Sequence, residues 1–140
     1  MIPRGNMPLV GRTFCREVTI TDEMIEGFAQ FSGDHNPIHQ SDQAAQKLGF
    51  QRRVAHGVIQ AGLISAIVGM DLPGPGSVIH SMEMKWLKPC YPGDRIAVTL
   101  EVIEVHSSVE TAICRVKVSD RKGGLISRGS VQVGIGGLHD

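Results

Sequence analysis

The sequence predicts an α+β domain in which a curved antiparallel sheet wraps around one apolar helix. A continuous apolar run at residues 58–70 is too long for an ordinary buried strand, so we interpret it as a helix. After residue 77 the apolar period changes to two residues, which is typical of strands. Short connections between these strands predict an antiparallel meander, and a nearly all-apolar helix has to be covered by such a sheet.

Length and charge limit the class of protein. The chain has 140 residues, so we expect a single domain over residues 1–140 with one hydrophobic core. Fourteen basic and fourteen acidic residues give a formal net charge of zero, so no global field attracts nucleic acid or an anionic membrane. We therefore expect a packed enzyme or binding domain with no nucleic-acid partner.

The cysteines and the apolar segments indicate the compartment. Cys15, Cys90 and Cys114 are odd in number, far apart and without a Cys-x-x-Cys pair, which favours a reducing, cytoplasmic location. The first ten residues hold no apolar run of signal-peptide length, and residues 58–70 are too few to span a bilayer. We expect a cytoplasmic protein that does not enter the membrane.

Four elements are predicted before the apolar run. An early strand covers residues 14–20, and Thr21 caps a helix that ends at Gly33. The apolar stripe of that helix consists of Met24, Ile25, Phe28 and Phe31. Because Pro37 removes a donor and restricts its neighbour, residues 34–39 should form an ordered loop. A short helix follows from Ser41 or Asp42 to Leu48.

Four strands are predicted after the apolar run, from period-two alternation. Their apolar positions are Met82, Met84 and Trp86; Ile96, Val98, Leu100 and Val102; Ala112, Cys114, Val116 and Val118; and a last strand at residues 125–135. On this pattern Trp86 is expected to belong to the core.

Asp34 and His39 are the candidate catalytic residues. They share the rigid stretch Ser-Gly-Asp-His-Asn-Pro-Ile-His at residues 32–39, and a carboxylate beside an imidazole can hold a water and move its proton near neutral pH. The alternative is that Asp34 caps a turn and His39 is an ordinary loop histidine.

His56 and Gly57 stand at the start of the apolar helix. Backbone donors at a helix N-terminus, with no side chain at Gly57, can bind the oxygen of a polarised carbonyl. The alternative is a glycine that is needed only for a turn.

A metal site is not expected, although Asp34, His35, His39 and His56 are chemically adequate ligands. Pro37 makes a regular helix between the two loop histidines improbable, and no cysteine is near. Ser65 lacks the setting of a nucleophile elbow.

Two motifs in order carry a family resemblance. They are Phe28-Ala29-x-Phe31-Ser32-Gly33-Asp34-x-Asn36-Pro37-Ile38-His39 and Ala55-His56-Gly57, followed by Lys85-Trp86-Leu87-Lys88-Pro89 and Tyr91-Pro92-Gly93-Asp94. With these motifs the chain resembles the MaoC-like hydratases, the (R)-specific enoyl-CoA hydratases with a hot-dog fold.

The resemblance implies roles for six residues. Asp34 and His39 match the catalytic dyad that adds water to a trans-2-enoyl thioester, and the backbone N–H of Gly57 matches the oxyanion donor. The matching residues that support or bind are Asn36, His56 and Ser65. The resemblance also implies an acyl-CoA substrate, with CoA as part of that substrate and no separate cofactor, and a homodimer or larger homo-oligomer.

Two departures from the family pattern occur, at Ser41, where the family often has aspartate, and at Val58, where it often has methionine. Neither changes the dyad or Gly57, so they affect the expected chain-length preference rather than activity.

Three functions stay open: an enoyl-CoA hydratase or dehydratase, an acyl-CoA thioesterase on the same fold, and a non-catalytic acyl-CoA-binding module. Arg52, Arg53 and Lys88 can meet CoA phosphates or be solvated charges.

Overall fold

The computed structural model describes residues 7–135. Its elements are β1 (Thr13–Thr19), α1 (Asp22–Ser32), a 3-10 turn (Pro37–His39), α2 (Asp42–Gln46), α3 (Val58–Met70), β2 (Val78–Trp86), β3 (Arg95–His106), a second 3-10 turn (Ser107–Val109), β4 (Thr111–Ser119) and β5 (Leu125–Gly134). The predicted order of one strand, three helices and four strands is confirmed. The short helix α2 ends at Gln46 rather than Leu48, because the chain turns toward Gly49, whose φ is +89°.

All five strands form one antiparallel sheet in the order β1-β3-β4-β5-β2. The predicted simple meander is wrong for β2, which pairs with β5 and not with its sequence neighbour β3. The connection at residues 87–94 carries the chain across the end of the sheet, where the N–H groups of Leu87 and Lys88 bond the carbonyl of Ile126. Consequently β1 and β2 are the two edge strands.

The core lies between α3 and the inner face of the sheet. From α3 the side chains of Ile59, Ile64, Ile67 and Val68 are buried. They pack against alternating strand residues, among them Val98, Leu100, Cys114, Val116, Val118 and Val131. Register shifts in three of the four strand pairings bend the sheet around the helix, as β-bulges do.

The central helix is not buried on all sides. Val58 is 55% exposed and Met70 is 71% exposed, and Gly62 and Ser65 lie on the same open side. The expectation that the sheet covers the apolar helix therefore holds for one face of α3, while the other face is open. Among residues 7–135, no helix has both the length and the hydropathy that crossing a bilayer requires.

Two aromatic residues lie outside the core to which the sequence assigned them. Phe31, predicted on the buried stripe of α1, is 79% exposed, because the buried face of α1 is the one that carries Ile25 and Ala29. The ring of Phe31 packs edge-on against that of Phe28. Trp86, predicted as core, is 45% exposed. Trp86 is the last residue of an edge strand, and its indole lies across the start of α3 instead of under it.

Candidate active site

Asp34, His39 and His56 form one cluster although two separate segments, residues 34–39 and the residues before α3, carry them. A carboxylate oxygen of Asp34 and ring nitrogens of the two histidines lie within 4.8 Å of one another. Helix α1 ends at Ser32 and is capped by Gly33 in the left-handed conformation, with φ of +80°, which turns the chain so that Asp34 follows directly beyond the cap. The candidate residues of the two sequence motifs therefore meet at one place.

The loop at residues 34–39 is ordered by its own hydrogen bonds, as predicted. The Asn36 N–H donates to Asp34 Oδ1 at 3.2 Å, and Asn36 Oδ1 accepts from the N–H of Ile38 at 3.4 Å. Pro37 begins the 3-10 turn, in which the His39 N–H donates to the Asn36 carbonyl. Asn36 thus connects Asp34 to the turn that holds His39.

The protonation of the His39 ring follows from its contact with the backbone. Nδ1 lies 2.7 Å from the carbonyl oxygen of Val54, which can only accept, so Nδ1 carries the proton. In the neutral ring, Nε2 then has a free lone pair. The side chain is buried, so this lone pair belongs to a fixed and partly dehydrated base.

His56 packs its ring against two other rings. Its centroid lies 3.8 Å from that of His39 and 4.6 Å from that of Phe28. Nε2 donates to the carbonyl oxygen of Asp34 at 3.1 Å, whereas Nδ1 is buried and has no hydrogen-bond partner among residues 7–135. Burial lowers the pKa of His56 below its ordinary value. The ring is therefore held in its neutral form.

Gly57 leaves the N-terminus of α3 open. No side chain caps the helix, and within the described part of the chain the Gly57 N–H has no hydrogen-bond partner. The Trp86 indole Nε1 donates to the Gly57 carbonyl at 3.1 Å, and a Cβ at Gly57 would lie 2.8 Å from that nitrogen. The close approach of the indole is the reason for glycine here.

A cavity of about 380 Å³ opens beside Gly57. Its walls are mainly apolar and include Val54, Ala55, Gln60, Trp86, Pro89 and Cys90. Burial raises the pKa of the Cys90 thiol to about 12, so the thiol is neutral at physiological pH. A larger groove of about 610 Å³ lies elsewhere on the sheet, and no residue of the cluster borders it.

The cluster has the composition of a metal site, two histidines and a carboxylate. Its ring geometry fits a metal ion poorly. The two imidazole planes are only 30° from parallel and stacked, so an ion between the nitrogens would lie out of both ring planes, where the lone pairs are not directed. The arrangement is better suited to proton transfer than to coordination.

Ser65 does not join the cluster. It lies on the exposed side of α3, eight residues after Gly57, about 12 Å further along the helix axis. Three basic residues near the cavity already have partners: Arg52 donates to the Pro92 carbonyl, Arg53 pairs with Asp22, and Lys88 lies 3.5 Å from Asp120.

Sequence reasoning missed two features of the site. The contact of Trp86 with Gly57 joins an edge strand to a helix and leaves no local pattern. A hydrogen bond between Gln60 and Ser127 was also missed. The sequence did contain a signal for this bond, because Gln60 is a carboxamide within an otherwise nearly all-apolar helix and needs a polar partner.

Comparison with known proteins identifies the family and agrees with this fold. The family model described as MaoC like domain matches residues 7–122, so the chain belongs to the MaoC-like domain family. A 3-hydroxybutyryl-CoA dehydratase from Methylorubrum extorquens is 43% identical over 96 residues, which cover 69% of this chain and 61% of that protein. An (R)-specific enoyl-CoA hydratase from Rhodospirillum rubrum is 40% identical over 84 residues, covering 60% of this chain and 58% of that protein.

Solved structures confirm the predicted hot-dog fold. The (R)-hydratase from A. caviae involved in PHA biosynthesis superposes with a TM-score of 0.87 at 26% identity, covering 92% of this chain and 98% of that one. The chain spans about three-fifths of the length of the Methylorubrum and Rhodospirillum relatives.

Proposed function

We propose that this protein interconverts trans-2-enoyl-CoA and (R)-3-hydroxyacyl-CoA by adding or removing water. The observation that carries the proposal is the cluster itself. The Asp34 carboxylate and the His39 ring, whose Nε2 has a free lone pair, lie together beside an open helix N-terminus. The names of the M. extorquens dehydratase and the R. rubrum hydratase support the same reaction class.

Asp34 and His39 act on the water and on both carbons of the double bond. They hold one water molecule, and Nε2 of His39 accepts its proton as the oxygen attacks C3. The electron pair of the double bond moves to C2 and the thioester carbonyl, and C2 then takes a proton from the Asp34–His39 pair. One proton enters the pair and one leaves it, so the net reaction is the addition of one water.

Gly57 stabilises the charge that develops on the thioester oxygen. Its N–H points out of the first turn of α3, where the helix dipole is positive, and is free to donate to that oxygen. Asn36 positions the catalytic loop, and His56 supports the ring of His39. Ser65 is a more distant supporting residue on the same helix. Acid, base and carbonyl polarisation suffice for the chemistry, so the proposal includes no metal and no redox cofactor.

The proposed assembly is a homodimer or larger homo-oligomer. Within residues 7–135, edge strand β2 has one neighbour only, and the exposed Trp86 and Leu87 at its end border the cavity. A second copy of the chain, packed against this edge, would cover the open side of β2 and the two exposed side chains. The proposed location is the cytoplasm, which is supported by three free cysteines, Cys15, Cys90 and Cys114.

The test is to add purified protein to crotonyl-CoA and follow the enoyl-thioester absorbance together with free thiol. A hydratase removes the absorbance without releasing thiol, and a chiral separation of the product should give the (R) enantiomer. Release of CoA thiol would show a thioesterase instead. No change with crotonyl-CoA or longer enoyl-CoAs, while CoA esters still bind, would indicate a non-catalytic binding module.

A further inference from the structure

Gln60 is an unusual residue at its position. It and Ser65 are the only polar side chains of α3, and Gln60 is 2% exposed. Burying a carboxamide is unfavourable unless it is hydrogen-bonded. One bond is present: the hydroxyl of Ser127, itself fully buried on β5, donates to Gln60 Oε1 at 2.6 Å.

The other half of the carboxamide has no partner. Because Oε1 accepts from Ser127, the two N–H donors of Nε2 remain, and nothing between residues 7 and 135 accepts from them. Gln60 lines the cavity of about 380 Å³, whose other walls include Val54, Ala55 and Pro89. A mainly apolar cavity whose wall contains an unpaired carboxamide donor is suited to a ligand with an acceptor at that point.

The proposed reaction specifies which part of the substrate reaches this donor. With the thioester oxygen at the Gly57 N–H, C2 and C3 must point toward Asp34 and His39. The sulfur therefore points away from the dyad. Because Gly57 borders the cavity and the two dyad residues do not, the sulfur points toward the cavity. Gln60 lies one helical turn after Gly57, and its backbone N–H donates to the Gly57 carbonyl at 3.0 Å.

We propose that the Gln60 carboxamide donates a hydrogen bond to the first amide carbonyl of the pantetheine arm. In that arm two methylene groups separate the thioester sulfur from an amide, so an acceptor follows the sulfur into the cavity. Gln60 is then a specificity residue for thioesters of pantetheine over simple alkyl thioesters. This inference rests on the proposed function. Coenzyme A and acyl carrier protein share the arm.

The test compares two crotonyl thioesters that differ in the amide. Crotonyl-N-acetylcysteamine carries it, and crotonyl-S-pentyl thioester, of similar length, lacks it. The ratio of their kcat/KM values is measured for the wild type and for Gln60→Leu. Loss of one hydrogen bond should lower the ratio about three- to tenfold. A general loss of activity would lower both kcat/KM values equally and leave the ratio unchanged.

Two further variants separate recognition from folding. Gln60→Leu leaves the Ser127 hydroxyl unpaired, so the double variant Gln60→Leu/Ser127→Ala removes both partners and should show the same fall in the ratio. The matched control is Gln43→Leu, an exposed glutamine on α2, which should keep the wild-type ratio. Thermal unfolding of each variant identifies any that fail to fold.

The carrier is identified by comparing crotonyl-CoA with crotonyl-acyl carrier protein. The carrier with the higher wild-type kcat/KM is the one the site takes, and Gln60→Leu should lower that value by the same three- to tenfold factor. An unchanged ratio in both Gln60 variants would overturn the role of Gln60 and leave the hydratase proposal standing. Absence of wild-type hydration with every crotonyl thioester would overturn both.

Discussion

The imidazole rings of His39 and His56 stack with 3.8 Å between their centroids and 30° between their planes. Each ring also donates to a backbone carbonyl, His39 to Val54 and His56 to Asp34. Burial lowers the pKa of His56, and the neighbouring ring of His39 lowers it further, because two stacked imidazolium ions would repel. His56 therefore presents a neutral ring to the face of His39.

The first prediction concerns acid stability. The pKa of His56 is lowered in the folded protein, so the unfolded chain binds more protons at this site and stability falls as the pH drops below about 6.5. The loss continues until the lowered, folded-state pKa is reached. Urea midpoints at about pH 7.5 and about pH 5.5 should therefore differ more for wild type than for His56→Gln.

His106→Gln is the control for acid stability. His106 is exposed, and solvent screens its contact with Glu104 at 3.0 Å, so this variant should retain the wild-type difference between the two pH values, or nearly so. Equal pH dependence in wild type and His56→Gln would contradict the assignment of the effect to His56.

The second prediction concerns Gly57. Gly57→Ala would place a methyl group 2.8 Å from the Trp86 indole nitrogen, so the indole has to move and its bond to the Gly57 carbonyl is lost. We expect kcat/KM with crotonyl-CoA to fall by about tenfold or more as the thioester site is displaced. Trp86→Phe, which loses the donor and one of the two fused rings but keeps an aromatic side chain and leaves Gly57 unchanged, should cost less.

The double variant Gly57→Ala/Trp86→Ala checks the cause of that loss. If the close approach of the indole is responsible, Gly57→Ala should be much less harmful in the Trp86→Ala background. An equal effect in both backgrounds would mean that glycine is required at this position for another reason.

The third prediction contrasts the two faces of α3. Ile64 is fully buried against the sheet, so Ile64→Ala should lower the free energy of unfolding by about 2 to 5 kcal/mol. Gly62 lies on the exposed face, and a Cβ there would meet nothing within 4 Å, so Gly62→Ala should raise it by about 0.5 to 1 kcal/mol. Chemical denaturation measures both, and similar effects for the two would contradict the one-sided packing.

The fourth prediction concerns thiol reactivity. Cys15 is exposed, whereas burial raises the pKa of Cys90 to about 12 and that of Cys114 to about 11. An aromatic disulfide reagent should label one thiol rapidly in the folded protein and all three in denaturant. Cys15→Ser should remove the rapid phase, and a second rapid thiol in that variant would show that one buried cysteine is accessible.

Local patterns in the sequence predicted the helices and strands more accurately than the long-range contacts between them. Alternating apolar residues predicted the strands, and the loop motif predicted the position of Asp34 beside His39. The pairing of β2 with β5 was not predictable, because it depends on the path of residues 87–94 across the end of the sheet. The same long-range contacts place Trp86 on Gly57 and Ser127 on Gln60.

The most direct test of the account is the turnover of Asp34→Asn with crotonyl-CoA. The amide retains the oxygen that accepts from the Asn36 N–H, so the loop should fold, but it cannot take part in proton transfer. We predict a fall in kcat of about 10² to 10⁴ with an unchanged unfolding midpoint. The matched control is Asp42→Asn, whose side-chain oxygen still accepts from the Arg53 N–H and whose turnover should stay within about twofold of wild type. A folded Asp34→Asn protein with near-normal turnover would contradict the assignment of Asp34 and His39 as the catalytic pair.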